Sequence, residues 1–212
     1  MRCACAIVLL LMPFAARTEL LDRIAIIVDD SIVKDSDISC DIRLTQFLDN
    51  EPVRVDQTER KKSAQKLIDL TLLREESQNG GYQNATDEAV NSEIESLETG
   101  RFHSKSGLEA ALTKYHLDEE ELRERLRWQI TVLHFIDSRF KAAAIVQDSA
   151  VNQYCEEHAA ALKKNSPNAS PAALHEQARE ILVGEEVNRL LDSWLKERRK
   201  DAKISFLEGD LS

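Results

Sequence analysis

Hydrophobic positions along this chain change their period twice, and the changes divide it into elements. Near the N-terminus, Arg23-Ile-Ala-Ile-Ile-Val28 and Ser31-Ile-Val-Lys34 are short β-branched runs on either side of Asp29-Asp30. Two such runs around a two-residue acidic turn predict a β-hairpin. From there the period is that of a helix. Ile38, Ile42, Leu44, Phe47 and Leu48 follow a cap at Asp35 or Ser36 and stop at Asn50-Glu51-Pro52. Ala64, Leu67, Ile68, Leu72 and Leu73 follow Thr58 and stop at the turn residues Asn79-Gly80-Gly81. Thr86 opens a third helix carrying Val90, Ile94 and Leu97, and Ser106 opens a short fourth with Leu108, Ala111 and Leu112.

The most strongly patterned element comes next. Asp118 and Glu121 have the spacing of a capping box, and Leu122, Leu126, Ile130, Leu133, Ile136 and Phe140 continue from it as one stripe. Trp128, Val132 and Phe135 widen that stripe, so the helix should be covered on two sides. Asp148 starts a further helix to Lys164, and residues 165–171 form the clearest break in the chain. Ser170-Pro171 is an N-cap followed by Pro at the first helical position. The long helix it opens carries Leu174, Ala178, Ile181, Val187, Leu190, Leu191, Trp194 and Leu195. Its basic end, Lys196 to Lys200, suits the negative pole of the helix dipole. Finally, Lys203-Ile-Ser-Phe-Leu207 alternates like a strand. A single strand has no stability alone, so it is predicted to join the hairpin. The pattern therefore predicts a mainly α fold of about six helices, with a small β-sheet joining the N-terminal hairpin and the C-terminal strand.

The start of the chain differs in kind. Met1-Arg2 is followed by an uncharged apolar run from Cys3 to Ala16, the pattern of a signal peptide. The run is shorter than the ~20 residues of a comfortable bilayer span. Bulky Phe14 fits a cleavage site after Ala16 poorly, so an uncleaved N-terminal anchor is the alternative for residues 1–16. Residues 17–212 then read as one domain in the periplasm, touching membrane only through the N-terminal segment if it is kept. Composition narrows the partners: 28 Lys+Arg against 38 Asp+Glu gives a net charge of −10, the wrong sign for a nucleic-acid binder.

Candidate chemistry is sparse. Beyond the leader there remain Cys40 and Cys155, which form a disulfide only if the fold brings their α carbons within ~7 Å. The histidines never occur at His-x-x-x-His spacing, and Cys155 with His158 supplies two metal ligands where a site needs more. No Gly-x-Ser-x-Gly elbow and no glycine-rich phosphate loop occurs. Glu75-Glu76 and Glu119-Glu-Glu121 lie near helix ends, where such runs are solvated charge. No catalytic residue, metal or cofactor is expected.

Several segments add up to a resemblance. Leu21-Asp-Arg-Ile-Ala-Ile-Ile-Val-Asp-Asp-Ser-Ile-Val-Lys-Asp-Ser-Asp-Ile38 resembles the opening of SurA-type periplasmic chaperones. Lys66-Leu-Ile-Asp-Leu-Thr-Leu-Leu-Arg-Glu-Glu76 and Leu117-Asp-Glu-Glu-Glu-Leu-Arg-Glu-Arg-Leu-Arg-Trp-Gln-Ile130 resemble two later helices of that family. Trp194-Leu-Lys-Glu-Arg-Arg-Lys-Asp-Ala-Lys-Ile204 resembles its closing helix and strand. The resemblance implies a trigger-factor-like peptide-binding core built from both chain ends, with parvulin-type isomerase domains inserted before the last helix. Here that insertion point falls at residues 159–170, far short of the ~50 residues of a small domain.

What the resemblance implies is an ATP-independent holdase, binding unfolded or nascent exported polypeptides through an apolar groove without catalysis. Trp128, Phe135, Phe140 and Trp194 are the aromatics that either line such a groove or fill the core. A structural or adaptor protein gripping one fixed partner is the alternative, and an isomerase-related protein acting with a partner domain is a third.

Overall fold

In the computed structural model, which describes residues 22–211, the two chain ends meet in one sheet. Strands β1 (Ile24–Val28) and β2 (Ser31–Lys34) form the antiparallel hairpin. Asp29 takes a left-handed φ of 51°, which lets the chain reverse within two residues. The C-terminal strand β3 (Ile204–Phe206) pairs antiparallel with the other side of β1, giving the order β2-β1-β3. The signal-peptide and anchor readings of residues 1–16 lie outside the described residues.

Eight α-helices fill the space between the hairpin and β3 among the described residues: α1 (Asp35–Asp49), α2 (Gln57–Asn79), α3 (Asp87–Ser96), α4 (Lys105–Lys114), α5 (Glu119–Phe140), α6 (Asp148–Glu157), α7 (Ala159–Asn165) and α8 (Pro171–Asp201). The expected capping box is present, with Asp118 accepting from the Glu121 amide and Glu121 from the Asp118 amide, both at 2.8 Å. Thr86 and Ser170 also cap as predicted.

Other boundaries shift, each for a local reason. α1 begins at Asp35 itself, and Asp37 turns back to accept from the Lys34 amide. Asp56, not Thr58, caps α2 by accepting from Glu59. Ser104, not Ser106, caps α4 by accepting from the Gly107 amide. A side chain at position 107 would lie 2.3 Å from the Phe102 carbonyl oxygen, so glycine is what lets α4 start there. The helix predicted from Asp148 to Lys164 breaks at His158, where the backbone leaves helical geometry and the ring lies 4.2 Å from that of Tyr154.

Four apolar clusters hold these elements. The inner face of the sheet (Ile26, Val28, Val33) packs on Ile38 and Ile42 of α1 and Ile68 and Leu72 of α2, with Leu211 closing the base. Phe47 of α1 anchors a second cluster, stacked on Phe102 and edge-on to Tyr115. The third joins α5 to α8, and the fourth holds α6 and α7 against the first half of α8. Three basic side chains tie the chain ends together. Arg198 reaches Asp29 at 2.8 Å and Glu75 at 3.0 Å, Arg199 reaches Asp69 at 2.5 Å, and Arg60 reaches Glu208 at 2.8 Å. The Asp29 carboxylate also accepts from the Lys203 amide, and that bond and Arg198 together hold it below the usual carboxylate range.

Candidate functional site

An open cleft of about 280 Å³ lies between β2, α1, α2 and α5. Its apolar surface comes from Ile32, Val33, Leu44, Leu67, Leu70 and Trp128. Helix α1 turns Cys40, Asp41 and Leu44 toward it within one turn, and α2 supplies Leu67, Leu70, Thr71 and Arg74 by the i, i+3, i+4 rule. Ile32 is 52% exposed at its mouth.

A polar cluster fixes the three helices behind this surface. Asp41 is 5% exposed and receives Arg125 of α5 at 2.5 Å, Lys66 of α2 at 2.9 Å and the Ser63 hydroxyl at 2.9 Å. Burial pulls the Lys66 ammonium below the usual lysine range, and the Asp41 carboxylate works against that. A buried carboxylate with two cations and a hydroxyl has its acceptor sites used, so it positions helices and offers nothing to a ligand. Cys40 Sγ lies 3.3 Å from Glu121 Oε1, and burial together with that carboxylate pushes the thiol up to about 12. Against an ordinary value of 9.0, the thiolate fraction at neutral pH is then about a thousandfold lower. Cys40 is therefore expected to alkylate about a thousandfold more slowly in the folded protein than after unfolding, measured by timed iodoacetamide labelling and mass spectrometry. Equal rates would mean that the thiol is not held this way.

Trp128 is the wall of the cleft. Its ring carries the Arg74 guanidinium 4.8 Å above the centroid, a cation–π contact. Its indole N–H is the one buried side-chain donor among the described residues without an acceptor. Beyond Trp128 a second hollow continues along Arg74, Gln78, Asn84, Arg127 and Thr131, with Arg74, Glu124 and Trp128 shared between the two.

The structure separates the four aromatics singled out from the sequence. Trp128 lines the cleft and is half-buried. Phe135 and Phe140 are 1% and 7% exposed, inside the cluster between α5 and α8. Trp194 is half-buried on the α8 side of that cluster, edge-on to both. Phe135 also meets Tyr82 at 5.0 Å. On the outer side of α5, Leu133 is 58% exposed, so the wide stripe is not covered along its whole width. Cys40 and Cys155 are both free: Cys40 packs beside the Phe47 cluster and Cys155, on α6, packs against the cluster of Val151, Leu162 and Ala178, so the disulfide left open by the sequence is not formed. No group of three or more metal-ligating side chains occurs among the described residues. No described helix is long and apolar enough to cross a membrane.

This helical body closed by a three-stranded sheet is similar in fold to a solved SurA-like chaperone. That structure comes from the Campylobacter jejuni pair PEB4, a virulence factor, and Cj1289, a periplasmic protein, two structurally related SurA-like chaperones. It matches at 12% identity and a TM-score of 0.53, over 89% of this chain and 100% of its own. The likeness is one of fold. No family model matches the sequence, and no curated protein matches it.

Proposed function

We propose that this protein is an ATP-independent holdase of the periplasm, which shields unfolded or nascent exported polypeptides in the cleft beside Trp128. The observation that carries the reading is the cleft itself. Its lining is about half apolar, its buried charges are already paired with one another, and it stays open in the folded chain. Such a surface favours apolar segments over any particular sequence. The SurA-like fold supports the same reading. In this reading the protein works without prolyl isomerisation, which the short join of residues 166–170 between α7 and α8 supports. Trp128 and Arg74 provide the contact surface, while Phe135, Phe140 and Trp194 hold the cleft's wall in place from behind.

The test is aggregation of several unrelated denatured proteins, followed by light scattering with the full chain present. Suppression of most of them, unchanged by ATP, is the expected result. Moderate salt should weaken it little, because burial of apolar area is not screened as ion pairs are. Protection of one client alone would point to an adaptor gripping a fixed partner. Protection of none, by a protein that remains folded, would end the holdase reading.

A further inference from the structure

The cleft meets the sheet through one strand only, and that strand is an edge. Among the three strands it is β2 whose residues Ile32 and Val33 line the cleft, and β2 is paired on one side alone. Which backbone groups it leaves unused follows from the register. On the far side of β1, the Asp29 amide donates to Lys203 and the Ala25 carbonyl accepts from Leu207, so the odd-numbered residues Ala25, Ile27 and Asp29 face β3. The even-numbered Ile26 and Val28 therefore face β2, where their partners are Val33 and Ser31. Ile32, opposite Ile27, is then the non-hydrogen-bonded position of the hairpin. Its N–H and C=O point away from β1, and among the described residues no loop or side-chain hydrogen bond reaches either. The next outward amide, that of Lys34, is already taken by Asp37.

We infer that the cleft binds its clients as an added antiparallel strand, in which one client residue exchanges both backbone hydrogen bonds with Ile32. The inference rests on the holdase reading and states how that site recognises a chain. Two observations select this occupant. The buried charges Asp41, Lys66 and Arg125 are consumed by one another, and the open backbone pair at Ile32 offers an extended chain a donor and an acceptor that are blind to sequence. The apolar wall formed by Leu67, Leu70 and Trp128 lies beside that edge. A strand laid there turns every second side chain toward the wall, so the favoured client is an extended segment of alternating apolar and polar residues. A helical segment has no free backbone pair to offer and is disfavoured.

The experiment uses the full chain and a short peptide of alternating valine and threonine, with binding followed by Trp128 emission in a Trp194→Phe background. Amide hydrogen exchange at Ile32, read by NMR, should slow at least about tenfold on saturation, the scale of one hydrogen bond gained. The Val33 amide, already in the ladder, should change little. N-methylating the peptide's backbone amides one residue at a time should weaken binding about tenfold at residues whose amides face Ile32, which are valines alone or threonines alone, and little at the others. Ile32→Pro removes the outward donor without touching the β1 ladder and should match that loss, whereas Ile32→Thr should not. If the peptide binds but the Ile32 amide stays unprotected and the methylated series binds equally, strand addition is wrong and the holdase reading stands. If no peptide changes Trp128 emission and none binds, the holdase reading fails and strand addition fails with it.

Discussion

Ending the chain at Lys203 should cost it most of its stability. The deletion removes Phe206 and Ile204, both half-buried against the sheet's helical floor, and Leu211, which is 1% exposed in the same cluster. It also removes Glu208 from Arg60 and uncovers one edge of β1. Full burial of a large apolar side chain is worth about 1.5–3 kcal/mol, so the three together, two of them half-buried, contribute on the order of 5 kcal/mol. A domain of this size holds about 5–15 kcal/mol in all. At roughly 2–4 °C per kcal/mol, the melting temperature should drop by more than about 10 °C, or cooperative melting should disappear. Thermal unfolding followed by circular dichroism decides it. A truncated protein that melts where the intact one does would show that the chain ends do not depend on each other.

The sheet was legible because its signals are local. Two β-branched runs around Asp29-Asp30 specify a hairpin by themselves, and the alternation at residues 203–207 has no other stable use than a strand. What holds the ends together was not legible. Arg198 and Arg199 lie in a basic run that the helix dipole explains without further help. The structure gives them to Asp29, 169 positions away, and to Asp69, 130 away. Nothing in a charged helix end says which cation finds a distant carboxylate.

The cleft shows the same limit more sharply. Its polar anchor joins Asp41 to Arg125 across 84 positions, and its thiol contact joins Cys40 to Glu121 across 81. One local sign existed: Asp41 follows Ile38 by three residues and precedes Leu44 by three, on a helix stripe otherwise apolar. A carboxylate on such a stripe must either reach solvent or be paired, and here it is paired. The direction of the aromatics on α5 carried no such sign. Trp128 and Phe135 are seven apart and share one face of the helix. α8 packs over the C-terminal half of that face, and Trp128 in the N-terminal half packs on the edge of the same cluster while it borders the cleft.

That division predicts opposite consequences for two similar substitutions. Phe135→Ala should destabilise the protein by about 3–5 kcal/mol, the range for deleting a buried aromatic ring. The ring is 1% exposed and meets Tyr82, Phe140 and Trp194 edge-on, so its loss leaves a void that three other rings border. α8 loses the edge-on contact of Trp194 with Phe135 in the same step. Trp128→Ala should cost less stability, because the ring is half-buried and its unpaired indole N–H is itself unfavourable. Its cost should fall instead on client binding, since it removes the cleft's largest apolar wall and frees Arg74. Urea denaturation of both variants, with client binding measured where each remains folded, separates the two roles. A Phe135→Ala protein of native stability that no longer protects clients would place that ring in the cleft and α8 elsewhere.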